Sequence, residues 1–196
     1  MRRFSSWQSY KPGAPSAPSA PRVERAAPGL RVLGLDPGSR ITGYGVVETT
    51  SSGPRYVASG AIRAGSGDFT RRLQDIYRGV AAIVAEHHPD EIAIERVFVH
   101  RNPDSALKLG QARGAALSAT FGCTAALFEY SPREVKLGIV GTGAADKVQV
   151  QRMVIAILSL EGRLGADAAD ALAIALCHAH GRSLRLALSH AASGAA

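Results

Sequence analysis

Residues 31–63 hold three apolar runs with nothing longer than a turn between them, and this constrains the fold more than any other feature of the chain. Arg31–Asp36 is a short apolar strand. Pro37-Gly38 turns the chain, and Thr42–Thr50 is a second strand. Ser51-Ser52-Gly53-Pro54 turns again into a third, Arg55–Arg63. Strands joined by such short turns pair as antiparallel neighbours, so the three form a meander.

Helical spacing then takes over. Leu73, Ile76, Tyr77, Val80, Ile83 and Val84 share one face of a predicted helix over Phe69–His88, which His88-Pro89-Asp90 breaks. Glu91–Glu95 reads as a buried strand, Asp104–Phe121 as a helix and Thr124–Glu129 as a strand. Ser131-Pro132-Arg133-Glu134 has the form of a capped helix start, with Ser at the N-cap, Pro at the first position and Glu closing the box. That short helix ends near Gly138. The loop GIVGTG leads to a helix over Ala145–Leu160, and Asp167–His180 is a final helix. The order βββαβαβααα predicts an α/β fold, a five-stranded mixed sheet flanked by helices.

The remaining segments and the composition set the class. Residues 1–29 carry five of the ten prolines among Ala and Ser, cannot bury a core, and are expected to be a disordered basic tail. Arg2-Arg3 lacks a following apolar stretch, which argues against an export signal. Residues 30–182 form the folded domain and 183–196 a C-terminal tail. No apolar run reaches the ~18 residues of a membrane span. Cys123 and Cys177 lie in apolar surroundings and read as core thiols of a reducing, cytoplasmic compartment. Formal net charge is +7, of which the tail supplies +4 (five basic residues against Glu24). A basic surface suits a polyanionic partner.

Against that basic background, four carboxylates stand in costly places. Asp36 ends the first apolar strand, Glu95 ends the strand that starts at Glu91, and Asp167 and Asp170 sit on the apolar final helix. An acid at the buried end of a strand is expensive unless paired or neutralised. Adjacent, parallel first and fourth strands would bring Asp36 and Glu95 to one sheet edge, and the spacing of Asp167 and Asp170 puts both on one helix face. Such a bowl repels itself and needs cations; oxygen ligands suit Mg²⁺ or Mn²⁺. Two ions ~3.5–4 Å apart are the arrangement of two-metal phosphodiester hydrolysis. Blander readings compete at each position: Asp36 as a turn residue before Pro-Gly, Glu95 as a strand cap paired with Arg96 or another basic side chain, Asp167 as a helix N-cap and Asp170 as a favourable charge near it.

The segments LGLDPGSRITGYGV, AIERVF, NPDSALKLGQARG, Leu127–Ser131 and ADAADALAIA resemble, in order and spacing, the RuvC Holliday junction resolvases over about residues 31–180. The resemblance implies an RNase H-like fold and a homodimer. It implies binding to four-way DNA junctions and two symmetric Mg²⁺-dependent nicks in recombination and repair, alongside the RuvA–RuvB branch-migration complex. It assigns Asp36, Glu95, Asp167 and Asp170 as the catalytic, metal-holding acids.

Further residues gain a role only through that resemblance. Phe98, in the loop RVFVHRNPDS, would stack on a base at the crossover, whereas spacing alone packs it under the loop. Arg96, His100 and Arg101 of this loop are phosphate candidates, His100 reading more simply as solvated. Lys136 and Lys147, near helix starts on either side of GIVGTG, become DNA contacts. Ala106, Gly110 and Gly114 recur every four residues; spacing alone packs such a ridge on its own sheet, while the resemblance makes it the dimer interface. His178 and His180 read as favourable residues near a helix C-terminus.

Three other functions compete. An ATPase of the actin, Hsp70 and sugar-kinase group would use Asp36-Pro-Gly-Ser as a phosphate hairpin, but it needs two such domains. A scaffold that binds junctions without cutting has no use for four mutually repelling acids. A nuclease of RNA–DNA hybrids shares the acids but not the longer motifs.

Overall fold

The computed structural model describes residues 8–9, 29–96 and 103–193, with side chains over 29–96 and 103–182. The elements are β1 (Gln8–Ser9), β2 (Leu30–Asp36), β3 (Ile41–Thr50), β4 (Gly53–Arg63), α1 (Phe69–His87), β5 (Glu91–Glu95), α2 (Pro103–Ser118), β6 (Ala126–Tyr130), α3 (Pro132–Val140), α4 (Lys147–Ile157) and α5 (Ala166–Ser193). They form a single mixed sheet in the order β1-β4-β3-β2-β5-β6. The expected meander is present as antiparallel β2-β3-β4, and β2, β5 and β6 run parallel.

Strand parity decides which helices cover which face. Val32, Val47 and Ala93 are buried with α3, α4 and α5. Leu33, Leu35, Tyr44, Val46, Ile62, Ile92 and Ile94 are buried on the opposite face with α1 and α2. Because strand side chains alternate, the positions that share a face with Val32 and Ala93 are Gly34, Asp36 and Glu95. Both strand-end acids therefore belong to the face that α5 crosses.

α5 lies unusually close to the sheet because glycines line its path. A Cβ at Gly34 would come within 2.1 Å of the Ala171 carbonyl oxygen, one at Gly43 within 2.1 Å of the Asp167 carbonyl oxygen, and one at Gly45 within 2.7 Å of the Leu172 nitrogen. Gly43 is the register partner of Asp36 and Gly45 that of Gly34. Any side chain at these positions would lift the helix, and with it Asp167, off the strand that carries Asp36.

Local signals place the remaining elements. Asp68 caps α1 by accepting the Arg71 N–H, and His88 closes that helix in the left-handed region. The expected capping box at Ser131 and Glu134 is present. Asp146 and Gln149 form a second one, which fixes the start of α4 at Lys147.

Three expectations need correction. The sheet has a sixth strand, because Gln8–Ser9, inside the segment expected to lack structure, pairs with Ala61 and Gly60 at the β4 edge. The C-terminal tail expected over 183–196 is helical as far as Ser193: Gly181 does not stop α5, since helix-forming Leu, Ala and Arg follow and no proline does. His178 is consequently not near a helix end. It is fully buried in mid-helix, with Nδ1 2.8 Å from the Tyr130 hydroxyl and Nε2 2.6 Å from Glu91 Oε2. A neutral ring donating from Nε2 to the carboxylate and accepting the tyrosine proton at Nδ1 satisfies both contacts. Arg182 adds a second bond to Glu91 at 3.1 Å. Burial opposes the Glu91 charge, but the bonds from His178 and Arg182 outweigh it and hold its pKa below the usual carboxylate range. His180 stands 3.5 Å from the Gly138 carbonyl oxygen.

Candidate active site

Asp36 and Glu95 leave adjacent parallel strands one residue beyond the register pair Leu35–Ile94. Their carboxyl groups share a hydrogen bond. Burial, reinforced by the negative charges of Asp170 and Asp167, raises the pKa of Asp36 to about 6 against the partial relief of Lys147. Burial and the charges of Asp36 and Asp170 raise that of Glu95 to about 7.

The helix-borne acids complete the cluster from above. Asp170 lines a hollow of ≈ 330 Å³ together with Asp36, Glu95, Lys136, Lys147, Val135 and Ile174. Asp167 does not line that hollow; it sits half-buried one turn earlier, over Gly43, and is close enough to bear on Asp36. Because α5 starts at Ala166, Asp167 lies in its first turn instead of capping it. Glu95 does not pair with Arg96 either: Arg96 Nη2 bonds Glu134 Oε2 at 2.7 Å. Two of the blander readings are thereby removed.

Lys147 spans the hollow from the start of α4 and places Nζ 2.9 Å from Asp170 Oδ2, with 81% of its side chain exposed. That bond, Asp170's charge and the other acids raise the lysine's pKa. Lys136, from α3, lines the same hollow. Both lysines thus stand beside the carboxylates.

A cation fits this donor set. Two desolvated carboxylates hold a proton between them near neutral pH, and an ammonium group sits on a third; each is a sign of uncompensated negative charge. The donors are all carboxylate oxygens, which favours a hard divalent ion such as Mg²⁺ or Mn²⁺ over zinc or copper. Among the described residues, no three His, Cys, Asp or Glu side chains form a ready-made ligand cage.

On α2, Ala112 and Ala116 face the sheet. Gly110 and Gly114 are exposed, with open space where a Cβ would stand. Pro103, Ala106, Leu107, Gly110 and Gln111 line a shallow hollow, and Leu107 is 61% exposed. The small-residue ridge thus faces away from its own sheet. The expectations for Phe98, His100 and Arg101 fall within 97–102, outside the described residues. Cys123 and Cys177 are free thiols, and burial raises the pKa of Cys177 to about 11.

Sequence reasoning missed the Glu91–His178–Tyr130 network and the glycine track under α5. The track was detectable: Gly34 interrupts the leucine-rich β2, and Gly43 and Gly45 flank Tyr44 in β3, a strand otherwise rich in β-branched side chains.

Comparison with known proteins agrees with this geometry. The family model described as crossover junction endodeoxyribonuclease RuvC matches residues 32–178. A relative of that name from Pseudomonas putida (strain W619) is 59% identical over 152 residues, spanning 78% of this chain and 87% of the relative. The solved structure of Thermus thermophilus RuvC aligns with a TM-score of 0.72 at 33% identity, covering 79% of this chain and 96% of that one. The same protein in complex with Holliday junction substrate aligns with a TM-score of 0.70 at 31% identity, over the same shares. The RNase H-like fold is the one shared with these structures. The chain belongs to the RuvC family of crossover junction endodeoxyribonucleases.

Proposed function

We propose that this protein is a Holliday junction resolvase: a homodimer that binds four-way DNA and makes two symmetric nicks in strands of like polarity. The observation that carries the reading is the placement of Asp36 and Glu95 on neighbouring parallel strands beneath the helix bearing Asp167 and Asp170, with Lys136 and Lys147 at the rim.

Each part of the chain has a distinct task. Asp36, Glu95, Asp167 and Asp170 hold two Mg²⁺ ions per subunit, with Mn²⁺ as a substitute. Bound there, the ions supply activation of the attacking water and stabilisation of the leaving oxygen. Asp36, Glu95, Asp167 and Asp170 would present their carboxylate oxygens to the ions, while the ammonium of Lys147 would face the phosphate at the cut and Lys136 a neighbouring phosphate. Phe98 and Arg101, in the loop that follows Glu95, engage the crossover. The outward ridge Ala106, Gly110 and Gly114, with exposed Leu107, is the dimer surface. A two-fold axis there sets two sites against the pseudo-symmetric junction. The protein works in the cytoplasm with the RuvA–RuvB complex; no described helix is long and apolar enough to cross a membrane.

The test uses end-labelled synthetic four-way junctions and linear duplex of the same sequence, with Mg²⁺ or EDTA. Paired symmetric nicks in the junction alone, lost with EDTA, are expected. Tight junction binding without nicks in either Mg²⁺ or Mn²⁺ would leave only a binding protein. Leu107→Glu should convert the dimer to a monomer in sedimentation; an unchanged dimer would remove α2 from the interface.

A further inference from the structure

We infer that a second phosphate-binding surface lies on the β2–β3 turn and the start of α1, and that it grips the sugar-phosphate backbone of a junction strand next to the carboxylates. This inference rests on the junction-binding reading and deepens it by assigning residues outside the carboxylate pocket.

Three arginines surround this turn without acidic partners, Arg40 within it, Arg72 on the α1 side and Arg63 on the α5 side of the sheet end. Arg40 is exposed in the turn, four residues after Asp36. Its carbonyl accepts the Ala64 N–H at 2.9 Å, which draws the end of β4 against the turn. Exposed Arg63 is the register partner of Ile41, and because Ile62 is buried towards α1 the Arg63 side chain lies on the opposite, α5 face at the same end of the sheet. Arg72, in the first turn of α1, reaches the same place: Nη1 donates to the Ser39 carbonyl at a long 3.4 Å, and the guanidinium carbon lies 5.1 Å from the Phe69 ring centroid. Its Nε is buried and has no hydrogen-bond partner. Among the described residues, none of the three forms an ion pair with Asp or Glu. The nearby acids are otherwise engaged: Asp68 caps α1 through the Arg71 N–H at 2.8 Å, and Asp75 accepts the Gly65 N–H at 3.1 Å.

Guanidinium groups with no acid partner, on a surface beside the proposed cleavage site, suit an anion, and their planar fork matches phosphate oxygens. The distance suits one continuous strand. Four residues separate Arg40 from Asp36, at most about 14 Å of extended chain, or roughly four nucleotide steps along one strand. α3 and α4 carry Lys136 and Lys147 on the face that holds the carboxylates, whereas Arg40 sits in the turn at the end of that sheet and Arg72 approaches it from the α1 face.

The experiment measures binding of the full-length chain to a fluorescent four-way junction in EDTA, as anisotropy from 50 to 200 mM salt. Each lost phosphate contact makes the slope of log K against log salt shallower by about 0.9. Arg40→Ala with Arg63→Ala should flatten the slope by nearly two, so that its deficit against the natural chain narrows about tenfold across that range. Both side chains are exposed, so the double variant should keep its melting temperature. Arg72→Lys keeps the charge but loses the fork; weaker binding with an unchanged slope is expected. A double variant that matches the natural chain in affinity and slope overturns the inference while leaving junction binding intact. A natural chain that does not bind the junction would sink both.

Discussion

Replacing Asp36 with Asn should make the metal-free protein more stable at alkaline pH while abolishing cleavage. The reasoning starts from the displaced ionisation of Asp36, which burial and its acidic neighbours raise from 3.8 to about 6. A folded-state value above the unfolded one means that ionisation opposes folding. The penalty is absent below about pH 4, grows as pH rises through 6, and is complete above 7. Two units correspond to about 3 kcal/mol at ~1.4 kcal/mol per unit, and partial exposure to water reduces this to about 1–2 kcal/mol. For a domain of this size the gain is a rise of roughly 3–6 °C in melting temperature. The amide oxygen of the substituted side chain can still accept the proton of Glu95, so the hydrogen bond survives. The assay is thermal melting of EDTA-treated protein at pH 4.5 and pH 8, for the natural chain and Asp36→Asn. The variant should gain most at pH 8 and only about a third as much at pH 4.5. Mg²⁺ should raise the melting temperature of the natural chain more than that of the variant. Equal effects at both pH values, or a loss at pH 8, would refute the view that the site is electrostatically strained until cations fill it.

Other outcomes follow from the same structure. Gly43→Ala sets a methyl group against the Asp167 carbonyl, so it should cost about 1–3 kcal/mol in chemical denaturation and weaken cleavage more than junction binding. Unimpaired cleavage would mean that the closeness of α5 to β3 does not set the site. Lys147→Ala should slow cleavage and flatten the salt dependence of binding by roughly one ion; an unchanged slope removes Lys147 from the phosphate contacts. His178→Ala removes the ring nitrogens that bond the Tyr130 hydroxyl and Glu91 and leaves a cavity in the core, a loss of about 2–4 kcal/mol in urea unfolding. A loss below about 1 kcal/mol would show that Arg182 suffices.

The sequence made the backbone plan readable because its signals are local. Turn residues spaced the meander, periodicity marked α1, and the Ser131–Glu134 box fixed α3. The four acids were conspicuous because charge is out of place at the ends of apolar strands and on an apolar helix. What the sequence concealed depends on contacts between distant segments. The His178 ring meets Glu91 and Tyr130 across 87 and 48 residues, and nothing within α5 announces either partner. The close seat of α5 on Gly34, Gly43 and Gly45 arises only once β2, β3 and the helix have met. The end of α5 was misjudged because Gly181 is a usual stop signal, and here the helix formers after it prevail.

The most direct test of the account compares the natural chain with Asp36→Asn, Glu95→Gln, Asp167→Asn and Asp170→Asn on one labelled four-way junction, with binding and Mg²⁺-dependent nicking measured on the same samples. Each variant should bind within a few-fold of the natural chain and lose at least about a hundredfold in nicking, as expected when one group of a preorganised electrostatic site is removed. A variant that nicks at the natural rate would exclude that residue from the site, and full activity in all four would place the chemistry elsewhere in the molecule.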